Sequence, residues 1–462
     1  MKISPLVEES LYMKKYFRIF LKKEKVGWFR ESDTDIYRKY GLVREISDYI
    51  YSLPTRKRCY ALYRKELLER LKKIPSYPYL VKLAEIASKL NMKLYIVGGA
   101  VRDLILKNFI YKEPDLLVEG DLVSFMKEVE KEGFSIKEQT PFLTMKLQMG
   151  YHTFDITLCR KELYEKPGSL PKVLPAFLIE DLYRRDFTIN AMAFGLSCEE
   201  AGLLYDPFYG LEDLERGFIR VIKPYSFIED PTRIIRGIRL KVRFSFDFDE
   251  ETRKLITLAI NKGALFSIGW VRFWKEIEEV FKEEKAVDII FLMDEFGIWQ
   301  SVDISLGDLE RKVLNKIARE CLSSEEQKEF LLYTIFGLQD INKSKEWGLR
   351  FQLSKDIRES LSLIPSWKSL KYLSFTEKYK LMKKVRKGVV KFWSLCFDEN
   401  VVPLWEKFIE AKPIFSEEEI KEIASNMGST YDRIKMEILK LQIEEGLRSQ
   451  KDILERLRKE SA

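Results

Sequence analysis

A short apolar stretch that ends in two glycines constrains this chain more than any other feature. Residues 94–97 (Leu-Tyr-Ile-Val) have the composition of a buried strand, and Gly98 and Gly99 interrupt it before a helical pattern begins at Val101. Glycine lets a backbone approach a ligand closely, and a helix start offers free N–H groups to a phosphate. Arg102, in the first turn, can add a charge-assisted contact. The stretch therefore predicts a phosphate-binding turn between a strand and a helix.

Two carboxylates precede the next apolar stretch. Glu113 and Asp115 are separated by one residue and lead into a predicted strand, Leu116–Val118. Because side chains alternate along an extended chain, both carboxylates are expected on the same side. Two carboxylates beside a phosphate site are suited to magnesium-dependent nucleotidyl transfer. Asp155, on a later predicted strand, is a candidate third acidic group, and an ordinary solvent-facing position is an equally favoured interpretation.

Composition limits the chemistry that the chain can use. With 462 residues it should hold two to four domains. The only histidine is His152, which nearly excludes histidine acid–base catalysis and clustered-histidine metal sites. The five cysteines are scattered, which argues against a zinc site and fits a reducing compartment. No apolar run is long enough for a membrane span, so we expect a cytoplasmic protein without a membrane partner.

Positive charge is concentrated near the N-terminus. The whole chain has a net charge of +7, whereas residues 1–80 contain 19 basic and 10 acidic side chains. A basic segment with interleaved aromatic residues suits a polyanionic RNA. An ordinary solvated helical extension is about equally favoured.

Two later motifs combine acids and arginines. One is Arg184-Arg185-Asp186 followed by Asn190, which by itself is a charged helix start. The other, residues 229–239, places Asp230, Arg233, Arg236 and Arg239 at three-residue spacing, so that these residues drift along one helix face. A solvated charged stripe is the simpler interpretation of the second motif. However, aligned arginines repel one another unless an anion lies opposite them.

These motifs together resemble the class II tRNA nucleotidyltransferases, the family that includes CCA-adding enzymes and bacterial poly(A) polymerases. The resemblance is carried by Gly-Gly-Ala-Val-Arg-Asp at 98–103, the carboxylate pair, Arg-Arg-Asp-Phe-Thr-Ile-Asn-Ala-Met-Ala at 184–193, and residues 229–239. It implies an α/β nucleotidyltransferase (polymerase-β-like) head followed by an all-α neck, body and tail. The expected domains are a helical basic extension (1–80), the head (81–205), the neck (206–300), and a tRNA-binding body and tail (301–462).

The resemblance also implies roles for individual residues. Two Mg²⁺ ions would bind Glu113 and Asp115, with Asp155 as a further catalytic carboxylate. The residues implied in nucleotide binding are Gly98, Gly99, Arg102 and Arg185 at the triphosphate, Asp186 and Asn190 at the ribose, Asp230 and Arg233 at the base edge, and Arg236 and Arg239 nearer the phosphates.

The implied activity is addition of the 3′-terminal CCA of tRNA from CTP and ATP, without a nucleic-acid template. The expected partners are the tRNA acceptor stem and 3′ end, and no DNA. One alternative is addition of only the CC part. Another is a bacterial poly(A) polymerase, although the Gly-Arg-Arg-Phe-Arg-like strand typical of that group reads Gln-Met-Gly-Tyr-His-Thr at 148–153. A third is a non-catalytic RNA-binding relative, because the family normally has Asp-x-Asp where this chain has Glu113.

Overall fold

The structure, a computed structural model, describes residues 59–60, 64–106, 113–140, 142–366, 370, 372–397 and 400–461. Most of the predicted N-terminal extension, residues 1–58 and 61–63, lies outside this part. The described chain folds into two compact units. The first reaches Ile277 and also contains Asp288–Val302, and the second contains Glu278–Val287 and the chain from Asp303 onward. The domain boundaries predicted above stay predictions.

The first unit is built on β-strands that form one large sheet and two small pairs. The strands are β1 Cys59–Tyr60, β2 Lys93–Val97, β3 Leu116–Glu119, β4 Ser135–Gln139, β5 Thr144–Met149, β6 His152–Leu158, β7 Arg160–Leu163, β8 Lys172–Pro175, β9 Ala193–Gly195, β10 Leu204–Tyr205, β11 Phe218–Ile219 and β12 Asp247–Phe248. The large sheet is mixed and has the strand order β1-β10-β9-β2-β3-β6-β5-β4. Strands β3 and β6 pair in parallel, and the other neighbours are antiparallel. Two further pairs of short strands, β7 with β8 and β11 with β12, lie outside this sheet.

Helices lie between these strands along the chain and also follow the last strand. They are α1 Arg64–Leu71, α2 Tyr77–Lys89, α3 Gly99–Ile105, α4 Leu122–Lys131, α5 Leu178–Tyr183, α6 Gly210–Arg216, α7 Ser226–Glu229, α8 Thr232–Phe244, α9 Glu250–Asn261, α10 Trp270–Phe281, α11 Ala286–Glu295 and α12 Ile298–Ser301. Single 3₁₀ turns occupy Thr188–Asn190, Cys198–Glu200 and Ala264–Ser267.

The second unit is helical throughout its described part. Its helices are α13 Asp308–Ile317, α14 Ser324–Leu332, α15 Ile341–Arg350, α16 Lys355–Leu363, α17 Phe375–Lys384, α18 Lys387–Phe397, α19 Val402–Glu410, α20 Glu417–Asn426, α21 Tyr431–Ile443 and α22 Gln450–Ser461, with a π-helical turn at Tyr333–Gly337 and a 3₁₀ turn at Ile364–Ser366. Helices α14, α17 and α20 begin at Ser-x-x-Glu capping boxes. In each box the serine side chain accepts from the backbone N–H of the glutamate, and the glutamate side chain accepts from the backbone N–H of the serine. The expected α/β head followed by helical domains is confirmed.

Strand alternation gives the sheet of the first unit one buried face and one open face. In β6, Phe154 and Ile156 are fully buried, whereas Asp155 between them is exposed. The ring of Tyr79 from α2 packs against Phe154. The period-2 pattern therefore separates a hydrophobic core on the helix side from a row of polar side chains on the other side. No helix in the described part of the chain is both long and apolar enough to cross a membrane.

A glycine lets helix α8 lie close to the segment that contains Phe187. A Cβ atom on Gly237 would lie 2.8 Å from Cζ of Phe187 and 3.1 Å from the Phe248 ring. Phe187 is fully buried and its ring lies 6.4 Å from that of Phe227, so it has little room to move away. The absence of a side chain at position 237 thus sets the distance between α8 and the segment that carries Asp186.

We expect Gly237→Ala to destabilise the first unit. Overpacking costs about 1–3 kcal/mol, which exceeds the gain of roughly 1 kcal/mol from the higher helix propensity of alanine. The midpoint of thermal unfolding should fall by roughly 2–4 °C per kcal/mol lost. Gly269→Ala is the matched control, because a Cβ there meets nothing within 4 Å. Equal midpoints for the two variants would show that α8 is not held by this contact.

Candidate active site

A cavity of about 520 Å³ lies where the turn between β2 and α3 faces the start of α8. Ten of the thirteen predicted site residues line it: Gly98, Gly99, Arg102, Asp115, Arg185, Asp186, Asn190, Asp230, Arg233 and Arg236. Glu113, Asp155 and Arg239 are not part of its wall. Seven arginines and four carboxylates line the cavity, an excess of three positive charges. This arrangement suits a ligand with several negative charges.

The glycine turn permits a close approach of arginine. Gly98 has a φ of 72°, a conformation that favours glycine, and its N–H donates to the carbonyl of Met192. A Cβ atom on Gly98 would lie 2.8 Å from Nη1 of Arg185. Arg185 donates to the buried Asp181 at 3.1 Å, which fixes its guanidinium beside the turn. Gly98 is therefore needed both for its backbone angle and for the space that Arg185 occupies.

A chain of hydrogen bonds joins three predicted residues below the turn. Arg102 donates from Nη1 to Oδ1 of Asn190 at 2.7 Å, and Asn190 donates to Oδ1 of Asp186 at 3.1 Å. The guanidinium of Arg102 also lies 4.5 Å from the centre of the Phe244 ring. These contacts hold Arg102 in one orientation at the cavity wall.

Asp230 is bound by two arginines. Its Oδ1 accepts from Nη2 of Arg272 at 2.9 Å, and its Oδ2 accepts from Nη2 of Arg236 at 3.3 Å. Arg236 also bonds to Asp186 at 3.4 Å, so it connects the two acids. Burial alone would raise the pKa of Asp230, but the nearby guanidinium groups of Arg233 and Arg236 outweigh burial and leave the pKa below its ordinary value. Asp230 is thus an ionised hydrogen-bond acceptor at neutral pH.

Arg233 is almost completely buried, with 4% of its side chain exposed. It donates to Oγ of Ser226 and to the carbonyl of Arg184, the latter at 2.8 Å. Glu229 lies 3.7 Å from its Nη1 and is also paired with the buried Lys223. Arg233 is therefore rigidly placed at the cavity wall beside Asp230.

Asp115 and Asp155 lie side by side. Strands β3 and β6 pair in parallel from Leu116 and Ile156, and each aspartate stands one residue before its paired position. The pKa of Asp115 is raised, first because the cavity walls reduce solvation of its carboxylate and also because Asp155 is a like charge, while Arg185 acts in the opposite direction. Two neighbouring oxygen donors whose charges repel one another form a set that suits a hard divalent cation.

Glu113 contacts a histidine and does not line the cavity. Its Oε1 lies 2.6 Å from Nδ1 of His152, and the His152 ring packs against Tyr79 at 5.2 Å between ring centres. In the described part of the chain no group of three or more His, Cys, Asp or Glu side chains could hold a metal ion. The structure therefore brings Asp115 beside Asp155 and pairs Glu113 with His152, and the metal role predicted for Glu113 stays a prediction.

Arg239 is not part of the cavity wall, although it shares the partner Glu276 with Arg236, whose Nε lies 3.8 Å from Oε1 of that glutamate. Nη1 of Arg239 is 3.5 Å from Oε2 of Glu276 on α10. Arg236, one turn earlier on α8, lines the cavity, whereas Arg239 does not. The proposed phosphate contact of Arg239 has no support from this geometry.

The prediction of site residues missed several that line the cavity. Arg184 donates to Asp181 at 3.0 Å and to Glu162 at 2.8 Å, and Glu162 also accepts from Tyr164 at 2.8 Å. Arg160 lies on the same wall. Arg184 was recognisable because it adjoins Arg185 in the motif. Nothing in the sequence indicated that Glu162 and Tyr164 face Arg184.

Arg272 connects Asp230 to a loop. Its Nη1 donates to the carbonyl of Gly168 at 2.6 Å, while its Nη2 donates to Asp230. Gly168 lies in the segment between β7 and β8 and has a φ of 67°. One side chain thus restrains both the loop and the acid at the cavity wall.

We expect Arg272→Gln to release this loop. Loss of two charge-assisted hydrogen bonds should raise the rate of cleavage after Glu165 by the glutamate-specific protease Glu-C several-fold, because cleavage follows local opening. Arg253→Gln, which changes a half-exposed arginine on α9, is the matched control. Equal cleavage rates in the wild type and both variants would show that Arg272 does not restrain the loop.

Comparison with known proteins gives consistent matches. The family described as the poly A polymerase head domain matches residues 94–220. An A-adding tRNA nucleotidyltransferase from Aquifex aeolicus is 34% identical over 63% of this chain and 34% of its own length. Another from Halalkalibacterium halodurans is 38% identical over 48% of this chain and 53% of its own length. The chain thus spans about a third to a half of the length of these relatives.

Similarity to a solved structure extends further along the chain. An apo structure of a CCA-adding enzyme is 26% identical and aligns with a TM-score of 0.72. The alignment covers 86% of this chain and 98% of that one. The likeness therefore includes the helical part as well as the head.

Proposed function

We propose that this chain, which belongs to the class II tRNA nucleotidyltransferases, transfers nucleotides from CTP or ATP to the 3′ end of tRNA. The product would be all or part of the terminal CCA, and pyrophosphate would be released. The proposed location is the cytoplasm, where its tRNA substrate is found. The observation that carries the proposal is the cavity described above, which joins an arginine-rich wall to a carboxylate at Asp115.

The triphosphate is proposed to bind beside the glycine turn. Arg102 and Arg185 are fixed there by Asn190 and Asp181, so little side-chain entropy would be lost when they bind phosphate oxygens. The excess of three positive charges in the cavity wall complements a nucleoside triphosphate.

The base is proposed to bind beside Asp230 and Arg233. Cytosine and adenine both present an amino group next to a ring nitrogen. A carboxylate acceptor beside a guanidinium donor complements this pair, whereas guanine and uracil present a carbonyl in place of the amino group. The lowered pKa of Asp230 keeps it available as an acceptor. No template strand is needed, because protein groups read the base.

Nucleotidyltransferases of this family generally use divalent metal ions, and we propose Mg²⁺ here. Asp115 and Asp155 fit such an ion, since they are adjacent carboxylates whose mutual repulsion a cation would relieve. When bound, the ion would stabilise the charge that develops on the reacting phosphate. Asp115 and Asp155 would hold it, and Arg185 would orient the phosphate against them.

Three variants separate the candidate metal ligands. We expect Asp115→Asn and Asp155→Asn each to weaken Mn²⁺ binding, measured by electron paramagnetic resonance, by at least about tenfold. Glu113→Gln should change it much less, because His152 holds this side chain. Glu130→Gln, an exposed acid on α4, is the control. Loss of binding in Glu113→Gln but not in Asp155→Asn would instead establish the Glu113–Asp115 pair.

The proposed activity is tested by nucleotide incorporation with Mg²⁺ into three tRNA substrates, which lack CCA, end in C, or end in CC. ATP on the substrate ending in CC is the first reaction to measure, since both relatives reported above are A-adding enzymes. We expect addition that stops at the correct end. Asp115→Asn should abolish turnover and leave tRNA binding largely intact.

Each outcome identifies an activity. Extension to full CCA indicates a complete CCA-adding enzyme, addition of the last A alone indicates an A-adding enzyme, and arrest after CC indicates a CC-adding enzyme. Long A tracts on unrelated RNA would contradict the proposal and indicate a poly(A) polymerase. RNA binding without incorporation would indicate a non-catalytic relative.

A further inference from the structure

A second cavity, of about 370 Å³, lies on the open face of the sheet beside the first. The two cavities share Asp115, Arg184 and Arg185 as wall residues, and they differ in everything else. The first is rich in arginine. Six of the thirteen residues that line the second cavity belong to β4, β5 and β6, and neither the glycine turn nor any residue of α8 is among the thirteen.

Strand register assembles two rows of polar side chains in this second cavity. Lys146 of β5 pairs with Asp155 of β6 and with Glu138 of β4, so the first row runs outward from the acids at the site. Thr144 pairs with Thr157 in the second row, and their hydroxyls lie 3.1 Å apart. Because alternate residues face the same side of a sheet, both rows point into one space.

Lys146 contributes a positive charge that is only loosely held. Its Nζ lies 3.9 Å from Oδ1 of Asp155, at the outer limit of an ion pair, and 43% of its side chain is exposed. The row therefore places an ammonium group that can bind an anion next to a carboxylate at the site. The threonine hydroxyls beside it can donate and accept hydrogen bonds.

The geometry of phosphoryl transfer assigns a ligand to this cavity. The attacking and leaving oxygens lie on opposite sides of the phosphorus in an in-line displacement. If the triphosphate lies among the arginines with its reacting phosphorus at Asp115, pyrophosphate leaves on that side. The attacking hydroxyl must then approach Asp115 from the other side, where the second cavity opens.

We propose that the second cavity binds the 3′-terminal nucleoside of the RNA acceptor, with Lys146 at its phosphodiester and the Thr144–Thr157 pair at its ribose. The proposal rests on the proposed function and deepens it by assigning the acceptor site. The volume is in the range of pockets that enclose small molecules. The 2′-hydroxyl distinguishes RNA from DNA, and the threonine hydroxyls are suited to contact it. The bond formed joins the acceptor 3′-oxygen to the nucleotide phosphorus, and the bond broken releases pyrophosphate.

Kinetics with an acceptor-stem RNA hairpin ending in CC, with ATP and Mg²⁺, test this assignment. Lys146→Gln should raise the KM for the hairpin at least tenfold and change the KM for ATP less than twofold. The matched control is Lys127→Gln, because Lys127 is an exposed lysine of α4 and lines neither cavity. It should behave as the wild type in both measurements.

A second variant tests the ribose contact. The wild type should prefer a hairpin with a ribose terminus over one with a 2′-deoxy terminus, and Thr157→Val should reduce that ratio of kcat/KM several-fold. Unfolding midpoints of the variants, compared with the wild type, exclude a folding defect as the cause.

The outcomes distinguish this proposal from the proposed function. Fluorescence anisotropy with the hairpin and with a version lacking its terminal nucleotide measures the acceptor site without turnover. The wild type should bind the longer hairpin more tightly, and Lys146→Gln should lose this difference. A raised KM for ATP in Lys146→Gln, or no change in either substrate, would overturn the assignment. A wild type that transfers no nucleotide but binds the longer hairpin more tightly would contradict only the proposed function.

Discussion

The candidate site depends on carboxylates that hold several arginines within one cavity wall. Guanidinium groups this close repel one another, and their burial removes solvent that would otherwise screen them. Asp181, Glu162, Asp186 and Asp230 each contact at least one of these arginines, so most of the repulsion is offset within the protein. The remaining positive excess is oriented before any ligand arrives. Such preorganisation costs nothing at the moment of binding.

The same interaction joins elements that are far apart in sequence. Arg236 on α8 contacts both Asp186 and Asp230, and Arg272 on α10 reaches Asp230 and the loop at Gly168. Because the carboxylates lie between the arginines, a change in one pair alters the charge that its neighbours experience. We therefore expect substitutions within this network to be non-additive.

The sequence predicted the parts of the site that lie within continuous motifs. The glycine turn and the carboxylates before the next predicted strand indicated a phosphate site with acids near it, and Gly98, Arg102 and Asp115 line one cavity in the structure. The sequence did not predict the contacts of Glu162 or Arg272, because these contacts depend on how distant segments of the chain pack. Glu113 is instructive for the same reason. Period-2 geometry places it on the side of Asp115, but its longer side chain reaches His152, a partner 39 residues away.

The long-range origin of the cavity has a consequence for how the protein is made. The residues that line the cavity are spread along the chain from Gly98 to Arg272. A nascent chain in which only the sheet of the first unit has left the ribosome therefore lacks Asp230, Arg236 and Arg272. During that interval Arg185 lies beside the turn without the acids and arginines of the later helices. Vectorial synthesis therefore delays completion of the cavity until α10 has emerged and packed against the earlier segments.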